Sequence, residues 1–93
     1  MSKLVARIKI LPSESDSDID SIPNILKQTL PEGFKLLAHT KEPIAFGLYS
    51  ILADFTLDDS EGQMDLLEEA IRKIDAVGEI EVINVSRQSV NIK

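Results

Sequence analysis

Between residues 4 and 10 the chain alternates without a break: Leu4, Ala6, Ile8 and Ile10 fall on one side, Val5, Arg7 and Lys9 on the other. A period of two is the mark of a β-strand with one buried face, and this stretch is the first predicted element. A polar segment, LPSESDSDIDS, follows, after which Ile22, Ile25, Leu26 and Leu30 recur at helical spacing. Pro23 must lie in the first turn of that helix, where backbone N–H groups have no partner anyway, so Asp20 or Ser21 is the expected N-cap. PEG at 31–33 ends it.

Residues 34–41 alternate less cleanly, stop at the turn signal Glu42-Pro43, and fit an edge strand. Residues 48–57 alternate well, with Ile51, Ala53, Phe55 and Leu57 on one face and Leu48, Ser50, Leu52 and Asp54 on the other. Ser60 and Gln63 suggest a capping box, followed by a helical stripe of Met64, Leu67, Ala70, Ile71 and Ile74. This second helix is expected to end near Ala76, with Gly78 as its stop. Residues 79–85 are β-branched enough for a last strand, but Ile80 and Val82 have one parity and Ile83 and Val85 the other. The pattern does not choose an inward face there. The order β-α-β-β-α-β is that of an α+β, ferredoxin-like domain: a four-stranded antiparallel sheet with two helices on one face. In that topology the loop after the second strand and the C-terminal tail lie at opposite ends, about 20 Å apart at ~3.3 Å per residue.

Length and charge narrow the function. With 93 residues, one domain over 1–93 is expected. A net charge of -6 disfavours direct nucleic-acid binding, which draws on clustered Lys and Arg. The absence of cysteine removes disulfides and thiolate chemistry. The N-terminal stretch lacks the apolar core of a signal peptide, and no run approaches the ~20 residues of a membrane span, so a cytoplasmic protein without membrane contact is expected.

Little in the chain suggests chemistry. Asp16, Asp18 and Asp20 match the opening of a calcium loop, but the sixth and twelfth positions hold Ser21 and Lys27 where Gly and Glu are required. His39 is the sole histidine and has no accompanying nucleophile motif. Asp58, Asp59 and Glu61 read as a hydrated turn and first-turn helix charges. Aromatic base stacking on the open sheet face, as in RNA-recognition domains, finds no support: the first strand has no aromatic, and Tyr49 and Phe55 share the helix-covered parity. No enzyme activity, cofactor or metal is expected. Val5, Arg7, Lys9, Leu48 and Leu52 are expected on the open face, as solvated sheet or as partner surface.

One segment stands apart. KEPIAFGL places Phe46 between a stiffening Pro43 and a permissive Gly47, in a chain with only 4% aromatics. Phe46 could fold back as a lid over the core, or be presented by a rigid loop as an apolar anchor for another protein.

The block EPIAFGL, together with VARIKILP and GQMDLLEEAIRKIDAVGEIEVINV, resembles the guanine-nucleotide exchange domain of the beta subunit of translation elongation factor 1, in its compact archaeal form. The resemblance spans nearly the whole chain. It implies an exchange factor that releases GDP from the elongation factor 1 alpha subunit so that GTP can reload, with Pro43, Ile44, Ala45, Phe46 and Gly47 as the partner-binding loop. In eukaryotic relatives the matching phenylalanine docks on the second domain of the alpha subunit, and a lysine near the C-terminus intrudes on the Mg²⁺ site. The matching position here falls near Val90, so Arg87 and Lys93 stand as separate candidates for a residue facing the nucleotide and Mg²⁺, beside the reading of a solvated tail. A monomer is expected when free. The alternative is a small-metabolite-sensing domain of the same fold acting as a dimer.

Overall fold

A computed structural model describes residues 3–14, 18–45 and 47–88. Strand β1 (Lys3–Pro12) is followed by a short 3-10 turn (Ile19–Ser21) and helix α1 (Ile22–Thr29). Strands β2 (Lys35–Pro43) and β3 (Tyr49–Asp58) form a hairpin; helix α2 (Gln63–Arg72) then leads to β4 (Val77–Gln88). The strands lie in the order β2-β3-β1-β4, and every neighbouring pair is antiparallel. This is the ferredoxin-like α+β arrangement, with two strand-helix-strand crossovers interleaved.

The alternation in β1 and β3 produces the core. Ala6, Ile8 and Ile10 sit opposite Phe55, Ala53 and Ile51, all of them buried. They join Ile22 and Leu26 of α1 and Leu67 and Ile71 of α2 in one cluster, which puts both helices on the same face of the sheet. Burying each isoleucine, leucine or phenylalanine among them contributes about 1.5–3 kcal/mol before the entropy of ordering it. No helix among the described residues is long and apolar enough to cross a membrane.

Several local expectations are corrected. Phe34 is buried just before β2, while Pro43 closes that strand instead of ending it early. Leu48 lies in the turn, outside β3. Tyr49 shares the parity of Ile51 but is exposed, facing a cleft that separates the start of β3 from the 3-10 turn. Ser50 has the outward parity and is nevertheless fully buried. Ser21 is the N-cap of α1, but its hydroxyl donates to the Asp18 carbonyl at 2.8 Å instead of capping. The Ser60–Gln63 capping box does not form; Gly62, at φ +84°, is the N-cap of α2, and the Gln63 N–H donates to the Ser60 carbonyl at 3.3 Å.

Helix α2 stops at Arg72, and Gly78 lies inside β4. A Cβ on Gly78 would stand 2.5 Å from the Pro12 carbonyl oxygen and 2.7 Å from Ser13 Cα. Glycine is required there by the close passage of two backbones, not by a helix end. The mixed parity of β4 also has a structural cause. Arg7 pairs with Asn84 and Ile8 with Val82, so Ile83 is an extra residue in a β-bulge. Ile80, Val82 and Val85 therefore all sit opposite inward residues of β1, although Val82 and Val85 on this edge strand stay exposed.

Candidate functional site

The tip of the β2–β3 hairpin is built by short-range hydrogen bonds. The Ile44 N–H donates to the Leu48 carbonyl at 2.9 Å, and the Leu48 N–H donates to the Ala45 carbonyl at 2.8 Å. Gly47 occupies the third position of that second turn with φ +77°, a conformation that favours glycine. A side chain there would meet nothing within 4 Å, so backbone conformation alone demands the glycine. Pro43 and Tyr49 form the last strand pair below the tip. The structure thus gathers Pro43, Ile44, Ala45 and Gly47 into one tight projection, with Ile44 and Tyr49 as exposed apolar surface. Phe46 lies outside the described residues.

The base of the projection carries a polar tie that sequence spacing did not reveal. The Lys41 ammonium lies 3.0 Å from Asp20 Oδ1 on the 3-10 turn and 4.9 Å from the centre of the Tyr49 ring. Lys41 is opposite Ile51, and Tyr49 is opposite Pro43, so the two side chains are diagonal neighbours on the helix side of the sheet. Counting back from the turn would have paired them; Asp20 has no such signal in the sequence. A cleft of about 180 Å³ opens between the 3-10 turn and the hairpin, lined in part by Asp18, Asp20, Lys41, Gly47 and Tyr49.

Arg87 is at the other end of the sheet, near the end of β4 and opposite Leu4. Its guanidinium is held 2.7 Å from Asp59 Oδ2. Lys3 and Asp58 form a second ion pair at the same end, at 3.0 Å. Lys93 lies outside the described residues. The loop and the β4 terminus are at opposite ends as expected, but farther apart: the ten residues of β3 alone span about 30 Å.

The open face carries a two-pronged ion pair between β1 and β3. Arg7 Nε and Nη2 donate to the two carboxylate oxygens of Asp54 at 2.9 and 3.1 Å. Through these hydrogen bonds Arg7 lowers the Asp54 pKa below its ordinary value, and Asp54 raises that of Arg7. Val5, Lys9 and Leu52 share this face, as expected, half-buried among their neighbours.

A larger concavity, about 580 Å³, lies between α1 and α2 and is lined by Ile25, Ala70 and Ile74 together with Ser21, Thr29, Lys73 and Asp75. Among the described residues no three His, Asp or Glu side chains are grouped to hold a metal ion, and Asp16 of the failed calcium motif is outside them. His39 is exposed on β2 opposite Ala53.

Comparison with known proteins locates this geometry in a family. Residues 5–87 match the EF-1 guanine nucleotide exchange domain. The chain is 33% identical over 87 residues to a protein named Elongation factor 1-beta from Halorubrum lacusprofundi, an alignment covering 94% of this chain and 99% of that one. It is 39% identical to the protein of that name from Methanocella arvoryzae, over 88% of this chain and 92% of the relative. For the Methanothermobacter thermautotrophicus protein the identity is 36%, over 94% and 98%.

Proposed function

The chain belongs to the EF-1 guanine nucleotide exchange domain family, and on that premise we propose that it promotes GDP release and GTP reloading on the elongation factor 1 alpha subunit by gripping it at two separated points. The hairpin tip, Pro43 to Gly47, anchors the domain on the partner, with Phe46 as the anchoring side chain. The β4 end then reaches the nucleotide-binding domain, with Arg87 or Lys93 facing the nucleotide and its Mg²⁺. The observation that carries this reading is the placement of a tightly turned, apolar projection and a charged terminus at opposite ends of one sheet.

Exchange requires no bond to be made or broken by this chain, and in that sense it is not an enzyme with an active site. It must bind the nucleotide-free partner more tightly than the loaded one, since equal affinity for both states shifts nothing. Anchoring through the hairpin supplies affinity common to both states. The charged end supplies the difference, by placing a cation where Mg²⁺ or phosphate would otherwise be satisfied. Arg87 must first leave Asp59 to do so. The net charge of -6 supports a protein partner over nucleic acid, and the reading takes the domain as a free monomer working in the cytoplasm.

The test is release of a fluorescent GDP analogue from the elongation factor 1 alpha subunit, with the unmodified chain and with Phe46→Ala. Acceleration that the substitution weakens, while circular dichroism stays unchanged, supports the reading. No acceleration by the folded domain at high concentration removes it, and a ligand-dependent rise in melting temperature would then favour the metabolite-sensing alternative.

A further inference from the structure

We propose that Asp20, Lys41 and Tyr49 form a positioning clamp, which holds the distal end of the β2–β3 hairpin at one pitch against the 3-10 turn so that its tip meets the partner preorganised. The inference rests on the exchange reading above and adds to it a device that sets the anchor's orientation.

The shape of the tip is already fixed by its two backbone hydrogen bonds and the Gly47 turn. β1 holds β3 from Ile51 to Asp58, so what those bonds leave open is the angle of the distal end of the hairpin, from Lys41 to Tyr49, to the body of the domain. Apolar packing reaches Ile51 on β3 but does not extend to the outer strand at this end. On the helix side of β2 the outer positions are His39, Lys41 and Pro43, all exposed, and only Leu36 near the other end packs on the core. The cleft between the 3-10 turn and the hairpin leaves space on the side toward which the hairpin could pivot.

Lys41 spans that gap. Its ammonium meets Asp20 on one wall and the face of Tyr49 on the other, and so joins the helix layer to both strands of the hairpin at once. An exposed ion pair or an exposed cation–π contact is weak taken singly. Together they act on the end of the hairpin beyond the Ile10–Ile51 pair, where β1 no longer holds it, and a hairpin end held in its bound orientation loses less freedom on docking.

The test measures how the initial rate of GDP-analogue release depends on the concentration of this domain. Lys41→Met should raise the half-saturating concentration about three- to tenfold and leave the maximal rate in place, with Asp20→Asn showing a smaller rise of the same kind. Lys41→Arg and the charge swap Asp20→Lys with Lys41→Asp should recover most of the loss. In a Phe46→Ala background Lys41→Met should add almost nothing, because an orientation device has no effect once the anchor is gone. In the free protein, residual dipolar couplings of the Ala45, Gly47 and Leu48 amides should shrink in Lys41→Met, without the partner being involved. An unmodified domain that accelerates release while the clamp variants match it overturns the clamp and spares the exchange reading. So does a loss confined to the maximal rate, or one that persists in full beside Phe46→Ala. An unmodified domain that fails to accelerate release removes both.

Discussion

The two ends of the sheet are organised on different physical grounds. At the hairpin end the chain makes a tight turn, exposes Ile44 and Tyr49, and relies on backbone hydrogen bonds for its shape. At the opposite end, Lys3 with Asp58 and Arg87 with Asp59 bring the termini of three strands together through charge. The first end suits recognition by shape, whose strength depends on burying apolar area and is little affected by salt. The second suits an interaction that can be exchanged, because an exposed cation already paired can trade one anion for another at small cost. A domain that must hold a partner while altering it gains from keeping these two kinds of contact apart.

The sharpest way to break this contrast is Phe46→Ala, expected to lower exchange efficiency by about 30-fold or more, the size of an interface hot spot, with the melting temperature unchanged. Efficiency from concentration-dependent GDP release and thermal denaturation of the same sample check it. A drop in melting temperature with preserved exchange would instead make Phe46 a core lid.

Next in size is Gly78→Ala. The added Cβ would collide with backbone at Pro12 and Ser13, neither of which is the free end of a side chain. A loss of about 1–3 kcal/mol in urea unfolding is expected, with hydrogen exchange rising first at the amides of Val77 and Ser13.

At the charged end, Asp59→Asn should free Arg87 and change the maximal exchange rate by about two- to fivefold upward, whereas Arg87→Gln should lower it by a similar factor. Both effects should shrink in high salt. Equal behaviour of the two variants would mean that the ion pair matters only to the fold.

The smallest effect concerns pH and belongs to neither end. Asp54 has a lowered folded-state pKa, chiefly through its hydrogen bonds to Arg7. Its contribution to stability is therefore fully present above the unfolded carboxyl value of about 4 and is lost as pH falls through the lower folded value. Urea midpoints measured downward from pH 5 should fall less steeply for Asp54→Asn than for the unmodified chain, and exchange at neutral pH should be little altered.

The features legible in the sequence were those with one strong cause. The alternation in β1 and β3 was readable because one face of each is buried against both helices. The PIAFG stretch was readable because Pro43 and Gly47 have few other uses in sequence. Where two causes compete for one residue type, sequence reading failed. Gly78 resembled a helix stop, but backbone crowding at Pro12 is what requires it. The parity of β4 was ambiguous because Ile83 is an inserted residue whose effect is visible only opposite Arg7 and Ile8. The Lys41 clamp was hidden for a different reason: Asp20 is 21 residues away along the chain, and nothing local announces the contact.

The central position of β1 also governs how the chain can fold. Ala6 is paired on one side with Phe55 and on the other with Val85, so the strand made first waits for partners made near the middle and the end of the sequence. Closing such distant loops before any contact rewards them slows folding toward the range typical of mixed and all-β domains. On the ribosome, the β2–β3 hairpin and both helices can emerge and form locally, but the sheet stays open along one side of β1 until β4 has left the exit tunnel. Until then β1 has an unsatisfied edge, and the nascent domain depends on its last strand to cover it.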